Sequence, residues 1–399
     1  MRRWLRSLNI PRGVWFLGFA SLFTDVASEI MYPLLPIFLT QVLGASIFFV
    51  GVIEGVAEAV ASFLKLFSGY ISDRIQKRSG FVFSGYGISN FLKPFVGIAT
   101  TPWQVLIIRF FDRVGKGIRT SPRDAWLASF ATLDKRGKIY GFHRGMDHLG
   151  ATIGPILATI FLAFYPGEYR PLFLLTFIPG IIALFFILAA KRATPETLKI
   201  IPEIDSKEGL KLSSLAKMPA AYKHFLIALI FFTLGGASDA FLLLKLWDSG
   251  VAIVWLPLLW AGLHVVKTTF SFYGGNLSDR IGRKKTILIG WMIYAAIYFA
   301  LAFVNNPILV IIIFLLYGTH FGFAEGPEKA FVVDFVHAEQ RGTAFGFYHF
   351  TVGIGSLLAS ITFGFIWQQW GSSYAFIFGA ALSFIAASLL LRVPEKNPH

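Results

Sequence analysis

The chain has 399 residues, of which 55% are hydrophobic and 15% charged, with 43 Phe, 10 Trp and no Cys. A soluble domain carries about 25% charged residues. An ordinary cytosolic enzyme, a disordered chain and a disulfide scaffold are therefore excluded, as are a thiol nucleophile and a thiolate metal site. The net charge of +14 does not point to nucleic acid. The basic residues come in short bursts between long apolar runs rather than in one water-facing patch, which is how membrane topology is written.

A hydrocarbon core about 30 Å thick needs about 20 helical residues. Twelve stretches qualify: 14–40, 46–70, 79–99, 102–128, 139–164, 171–190, 222–247, 252–275, 285–303, 307–332, 343–367 and 373–392. Turn signals such as Thr101-Pro102, Tyr165-Pro166-Gly167, Asn305-Asn306-Pro307 and Trp370-Gly371-Ser372 separate them. The alternation of a lipid-facing barrel strand is absent, so the spans read as helices. The basic start followed by an apolar run imitates a signal peptide. That run continues through Asp25 and Glu29 without a small-residue cleavage site, so it reads as an uncleaved first helix.

Counting Lys and Arg sets the expected orientation. The connections on the N-terminal side hold 24, and those on the other side hold only Arg170 and Lys245. Basic residues stay in the cytoplasm, so both termini are expected there, in the inner membrane. The polar segment 191–221, with Pro195, Pro202 and Pro219, reads as a cytoplasmic linker between six-helix halves at 1–190 and 222–399.

The halves are repeats. Gly69-Tyr-Ile-Ser-Asp73-Arg74-Ile75 recurs as Gly275-Asn-Leu-Ser-Asp279-Arg280-Ile281, shifted by 206. Pro122 matches Pro327, Arg136-Gly137 matches Arg341-Gly342 and Gly141-Phe142 matches Gly346-Phe347, all shifted by 205. Ser28-Glu29 matches Ser238-Asp239. Parallel duplicated halves suggest a transporter with its site near the midplane.

The paired segments Gly69-x-x-x-Asp73-Arg74-x-x-Lys77-Arg78 and Gly275-x-x-x-Asp279-Arg280-x-Gly282-Arg283-Lys284 resemble the signature loop of the major facilitator superfamily. The resemblance covers the whole chain and implies that family's twelve-helix, two-half, all-α membrane fold. It also implies that Gly69, Asp73, Arg74, Gly275, Asp279 and Arg280 belong to a gate, in which the Asp meets a helix N-terminus of the other half and pairs with nearby Arg. A carboxylate there gains ~0.3–1 kcal/mol, which is weak enough to break each cycle. The first copy departs from the pattern, with Gln76 where Gly is usual; the second is intact.

Ten Lys or Arg and eleven Asp or Glu fall within the spans or at their ends. One central charge costs ~2.5–3.5 kcal/mol even on insertion scales, so these must pair or line a wet cavity. On helix 4, Arg109, Asp112, Lys116, Arg119 and Arg123 step by three and four residues and share one face. Gly115-Lys116-Gly117 is not a phosphate loop, because the Gly-x-x-x-x-Gly-Lys-Ser/Thr pattern and its strand are missing. Arg113-x-x-x-Gly117 instead resembles the family's helix-4 motif, which implies a link to proton transfer; Lys116 stands at its usual Gln-like position. Glu54, Glu58 and Lys65 share a face on helix 2. Asp25 and Glu29 are four apart on helix 1, as are His143 and Asp147 on helix 5. On helix 8, Trp260, His264 and Lys267 form a shorter polar face. Static salt bridges between helices are the plainer reading, above all near the cytoplasmic end at Arg119, Arg123 and Asp124. The deeper acids Glu29, Glu54 and Glu58, then Asp25, are expected to carry protons. Lys93, Arg109, Arg113, His143, Asp147, Asp239, His264 and His349 are expected to meet substrate. His143, His148, His264, His320 and His349 are spread over four helices and read as polar lining, with no metal and no cofactor.

Helix 5 holds Gly141, Gly150, Gly154 and Pro155, which resembles the superfamily's antiporter motif. The closing Gly-Gly is Ala158-Thr159 here. Gly150 and Gly154 allow close helix approach, and the resemblance implies an exporter. The expected function is secondary active efflux of a small organic or amphiphilic solute, with an anionic group compatible with basic helix 4, in exchange for protons, by a monomer in the bilayer. The alternatives are a proton symporter or facilitator importing a nutrient or metal chelate, which has the same fold, and a non-transporting membrane enzyme or sensor, which would show a soluble appendage or a nucleophile constellation.

Overall fold

The first membrane helix, α1 (Arg12–Met31), stops where Pro33 and Pro36 withhold backbone N–H groups. The chain continues through a 3-10 turn, Tyr32–Leu34, and wider turns to Val42. The computed structural model describes residues 10–75, 78–130, 136–194, 215–216, 218–336 and 340–394, with side chains omitted at 66, 69–75, 78, 128, 136–138 and 341–342. It is helical throughout, and no strand occurs among the described residues. The next helices are α2 (Ile47–Ile75), α3 (Arg78–Leu92, extended by the 3-10 segment Lys93–Ile98), α4 (Pro102–Ser129), α5 (Arg136–Phe164) and α6 (Phe177–Ala193, after a short helix Tyr169–Leu175). Then come α7 (Ala220–Gly235, resumed as Ala240–Asp248), α8 (Leu256–Ile281), α9 (Arg283–Phe303), α10 (Pro307–Phe335), α11 (Arg341–Trp370) and α12 (Ser372–Leu391).

Ten of these twelve are long and apolar enough to cross a membrane by composition alone. The other two are α3 and α4. The α-helical part of α3 gives way at Lys93-Pro94, and α4 carries seven charged residues between Arg109 and Asp124. Asp112 of α4 pairs with Lys93 of α3, as described below.

Contacts group the chain into two compact units, Met1–Tyr32 with Phe63–Lys207, and Pro33–Ser62 with Glu208–His399. In the first, α1 packs on α5 and α6, and α3 packs on α4 and α6. In the second, α7 packs on α11 and α12, and α9 packs on α10 and α12. The sequence repeat is thus a repeat of helix pairings. Val14, Leu17, Val82, Tyr86, Trp126, Leu127, Ile139 and Ile187 form an apolar cluster joining α1, α3, α4, α5 and α6. Lipid is as apolar as these side chains, so close packing and interhelical hydrogen bonds must hold the helices together.

Local chemistry sets the ends. Asn306 caps α10, its side chain accepting from the Ile308 and Leu309 amides at 3.0 and 3.2 Å, and Pro307 fits the first turn, where no N–H is needed. Between α8 and α9 the chain turns at Gly282 with φ of +94°, a conformation that only Gly adopts without strain. This is the glycine that the second signature loop retains.

Candidate transport site

Several polar clusters lie within the helices among the described residues. The first unit's cluster centres on Asp112 of α4. Its carboxylate accepts from Ser89 of α3 at 2.5 Å and lies 3.8 Å from Lys93 Nζ, 3.7 Å from Arg109 Nη1 and 4.0 Å from Arg113 Nε. Lys93, Arg109 and Asp112 are all 2–3% exposed. Three cations thus gather around one carboxylate. Lys93 also donates to Asn90 at 3.3 Å, and Asn90 donates to Thr24 of α1 at 2.9 Å. The basic face of α4 is thereby tied across α3 to α1.

At the next residue of α1, Asp25 stands in the field of Asp147, Arg119, Glu29 and Lys116. Arg119 lies 4.0 Å above the Tyr86 ring, a cation–π contact. On α5, Asp147 Oδ2 is 3.5 Å from His143 Nδ1 and 3.8 Å from Arg144 Nη1. The close approach of α5 to α1 rests on its glycines. A Cβ at Gly150 would collide with the Leu22 carbonyl oxygen and come within 3.0 Å of the Asp25 Cβ; one at Gly154 would lie 2.7 Å from the Val26 carbonyl oxygen and 3.1 Å from the Glu29 Cβ. Gly141 is different, since a Cβ there meets nothing within 4 Å. The seam between these helices is therefore set by Gly150 and Gly154 and runs beside both carboxylates of α1.

In the second unit, α7 breaks after Gly235 and resumes at Asp239, the N-cap of its second segment. Asp239 accepts from Lys267 of α8 at 3.1 Å and from the Tyr317 hydroxyl of α10 at 2.6 Å. Beside it, Ser238 donates to Glu54 of α2 at 3.3 Å. Glu58, one turn on, accepts from Ser62 at 3.5 Å. His264 packs edge-on to Trp260. His349 packs beside Phe345 and Tyr348. A further carboxylate, Glu328 of α10, is 5% exposed and accepts from Trp291 of α9 at 2.8 Å and Tyr348 of α11 at 2.9 Å.

At the second signature loop, Arg283 binds Asp334 at 2.5 Å and Asp279 at 3.5 Å. Asp279 and Arg280 are exposed. A Cβ at Gly275 meets nothing within 4 Å; the tight neighbour is Gly274, which packs on the Gly322 backbone of α10. The side chains at Gly69, Asp73 and Arg74 of the first loop lie outside the described residues. Among the described residues no group of three or more His, Asp and Glu is placed to hold a metal ion.

The residues read from the sequence thus fall into separate clusters. Lys93, Arg109 and Arg113 converge on one carboxylate. Asp25, Glu29, His143 and Asp147 line the contact of α1 with α5. Glu54 meets the break in α7. The sequence reading missed Asp112 as the hub, the Tyr317 and Phe321 partners of Asp239 and Lys267, and the Glu328 network. A signal existed for Tyr317 and Phe321: the repeat shift of 205 carries Asp112 onto Tyr317 and Lys116 onto Phe321.

Comparison with known proteins decides the family. The model of the Major Facilitator Superfamily matches residues 17–265 and 258–399. The chain belongs to this superfamily. It is 31% identical over 392 residues, covering 96% of this chain and 95% of the relative, to an uncharacterized MFS-type transporter of Methanocaldococcus jannaschii. A shorter match, 25% identical over 156 residues and covering 38% of each chain, is to the multidrug resistance protein MdtH of Photorhabdus laumondii. Among solved structures, a bacterial homologue of the human lysosomal transporter Spinster superposes with a TM-score of 0.75 at 14% identity, over 95% of both chains. At that identity the likeness speaks for the fold. The protein is a multi-pass membrane transporter for small molecules rather than an enzyme, with twelve helices in two six-helix halves.

Proposed function

We propose that this transporter exports a small organic solute across the cytoplasmic membrane in exchange for protons. Asp25 and Glu29 of α1 are the first proton-carrying carboxylates, and Glu54 and Glu58 of α2 come next. The observation that carries this reading is the seam of α5 on α1. Gly150 and Gly154, which resemble the antiporter motif, bring α5 against the backbone turns that hold Asp25 and Glu29. A helix shift along that seam alters the surroundings of both carboxylates. A carboxylate binds a proton when it is desolvated and releases it when cations such as Arg119 and Lys116 act on it. The partial likeness to a multidrug resistance protein supports export.

The gathering of Lys93, Arg109 and Arg113 on α3 and α4 suits a solute with an anionic group. In this reading Asp73 and Asp279 gate the cytoplasmic side, both termini are cytoplasmic and the working unit is a monomer. Direction is tested in vesicles. Solute accumulation in inverted vesicles with an acidified interior supports proton-coupled export. Uphill uptake confined to right-side-out vesicles contradicts it and favours a symporter.

A further inference from the structure

The Asp239–Lys267 pair is held in an aromatic frame. Lys267 Nζ lies 3.7 Å from the Phe321 ring centre, 5.3 Å from Trp260 and 5.9 Å from Tyr317. Beside Phe321, His320 is 5% exposed, and neither of its ring nitrogens has a hydrogen-bond partner. Its ring is 4.0 Å from Phe321, 4.7 Å from Tyr317 and 5.0 Å from Tyr294, and Lys267 and Asp239 are the charges that act on it most strongly. The pair itself is not sealed: the Lys267 and Asp239 side chains remain 15% and 18% exposed. A break in a membrane helix, an ion pair at that break, and a buried imidazole with both nitrogens unused thus stand together. Leaving a buried polar group unpaired is costly, which argues that the imidazole serves a ligand.

We propose that this cluster is the subsite for a small zwitterion with an apolar or aromatic body. The inference deepens the transport reading and rests on it for the claim that a bound solute is carried. Charge balance selects the class. The pair is neutral as it stands. A lone cation or anion entering would bring an uncompensated charge into a poorly solvated site. A zwitterion adds no net charge: its ammonium takes Asp239, its carboxylate takes Lys267, and each member of the pair keeps a partner. A neutral imidazole offers one donor and one acceptor, so His320 can hold the carboxylate or another polar group. The rings of Trp260, Tyr317 and Phe321 supply the wall for the body.

The test is equilibrium binding to the purified full chain in detergent, without any ion gradient. Radiolabelled phenylalanine, phenethylamine and 3-phenylpropanoate share a body and differ in charge. Phenylalanine should bind roughly tenfold or more tightly than either analogue, and Asp239→Asn or Lys267→Met should weaken it by a similar factor, the scale of one charged hydrogen bond. Tyr317→Phe removes only a hydroxyl and is the milder variant; it should weaken phenylalanine while leaving elution of the protein unchanged. The proposal is overturned if a singly charged analogue binds as tightly as phenylalanine. It is equally overturned if phenylalanine shows no saturable binding to the wild type, or binds well-behaved variants as it binds the wild type. Binding is read without a gradient, so a failure of proton coupling or of export leaves this result standing. A coupled exporter indifferent to Asp239 and Lys267 sinks the subsite alone.

Discussion

A Cβ added to Gly150 of α5 would stand 3.0 Å from the Cβ of Asp25 on α1. The contact places a helix-packing device beside a membrane-embedded acid, and it separates the glycines of the helix-5 motif by role. Gly150→Val should destabilise the protein by about 1–3 kcal/mol, the usual cost of overpacking a close contact, and should lower transport by displacing α1. Gly141→Val meets open space and should leave thermal stability near that of the wild type. Thermal unfolding of the two purified variants checks this. Equal losses would show that the motif is generic small-residue packing.

Asp112 is the common partner of Lys93, Arg109 and Arg113. Asp112→Asn removes the carboxylate shared by buried Lys93 and Arg109 and part-buried Arg113 and should cost roughly 3–5 kcal/mol. Asp334→Asn, which breaks the half-exposed pair with Arg283, should cost about 1 kcal/mol or less. The comparison is by unfolding midpoint. A mild Asp112→Asn would mean that the cluster is not a structural hub.

Topology can be read chemically because the chain has no Cys. Single cysteines at Ser79 and Lys285 should react with an impermeant thiol reagent only from the cytoplasmic side, and those at Glu168 and Ser372 only from outside. Lys285 is used because it is exposed, whereas its neighbour Arg283 is tied to Asp334 and Asp279. Labelling from the opposite side at any two positions would reverse the orientation.

Most of the fold was legible because a membrane helix announces itself through length and apolarity. Even α3 and α4, which fail that composition test, were visible through Thr101-Pro102 and the three-and-four stepping of charge from Arg109 to Arg123. The break in α7 was not visible, because Gly235-Gly236-Ala237-Ser238 also reads as small residues inside a span. The hub at Asp112 was half legible. Its face on α4 followed from periodicity, but Lys93 and Ser89 come from α3, and no local pattern assigns partners across helices. Tyr317 was hidden for a related reason: the repeat marks its position, yet an aromatic residue stands where the first half has Asp112.

Proton coupling through α1 is the central claim, and one paired measurement in proteoliposomes tests it. Wild-type protein, Asp25→Asn and Glu29→Gln are assayed for solute movement driven by an imposed pH gradient and, in the same preparation, for exchange of labelled against unlabelled solute. Exchange needs no net proton movement. The account predicts that at least one variant loses gradient-driven accumulation and keeps exchange, whereas a purely structural role would remove both together. If both variants still concentrate solute against its gradient, Asp25 and Glu29 do not couple transport to protons.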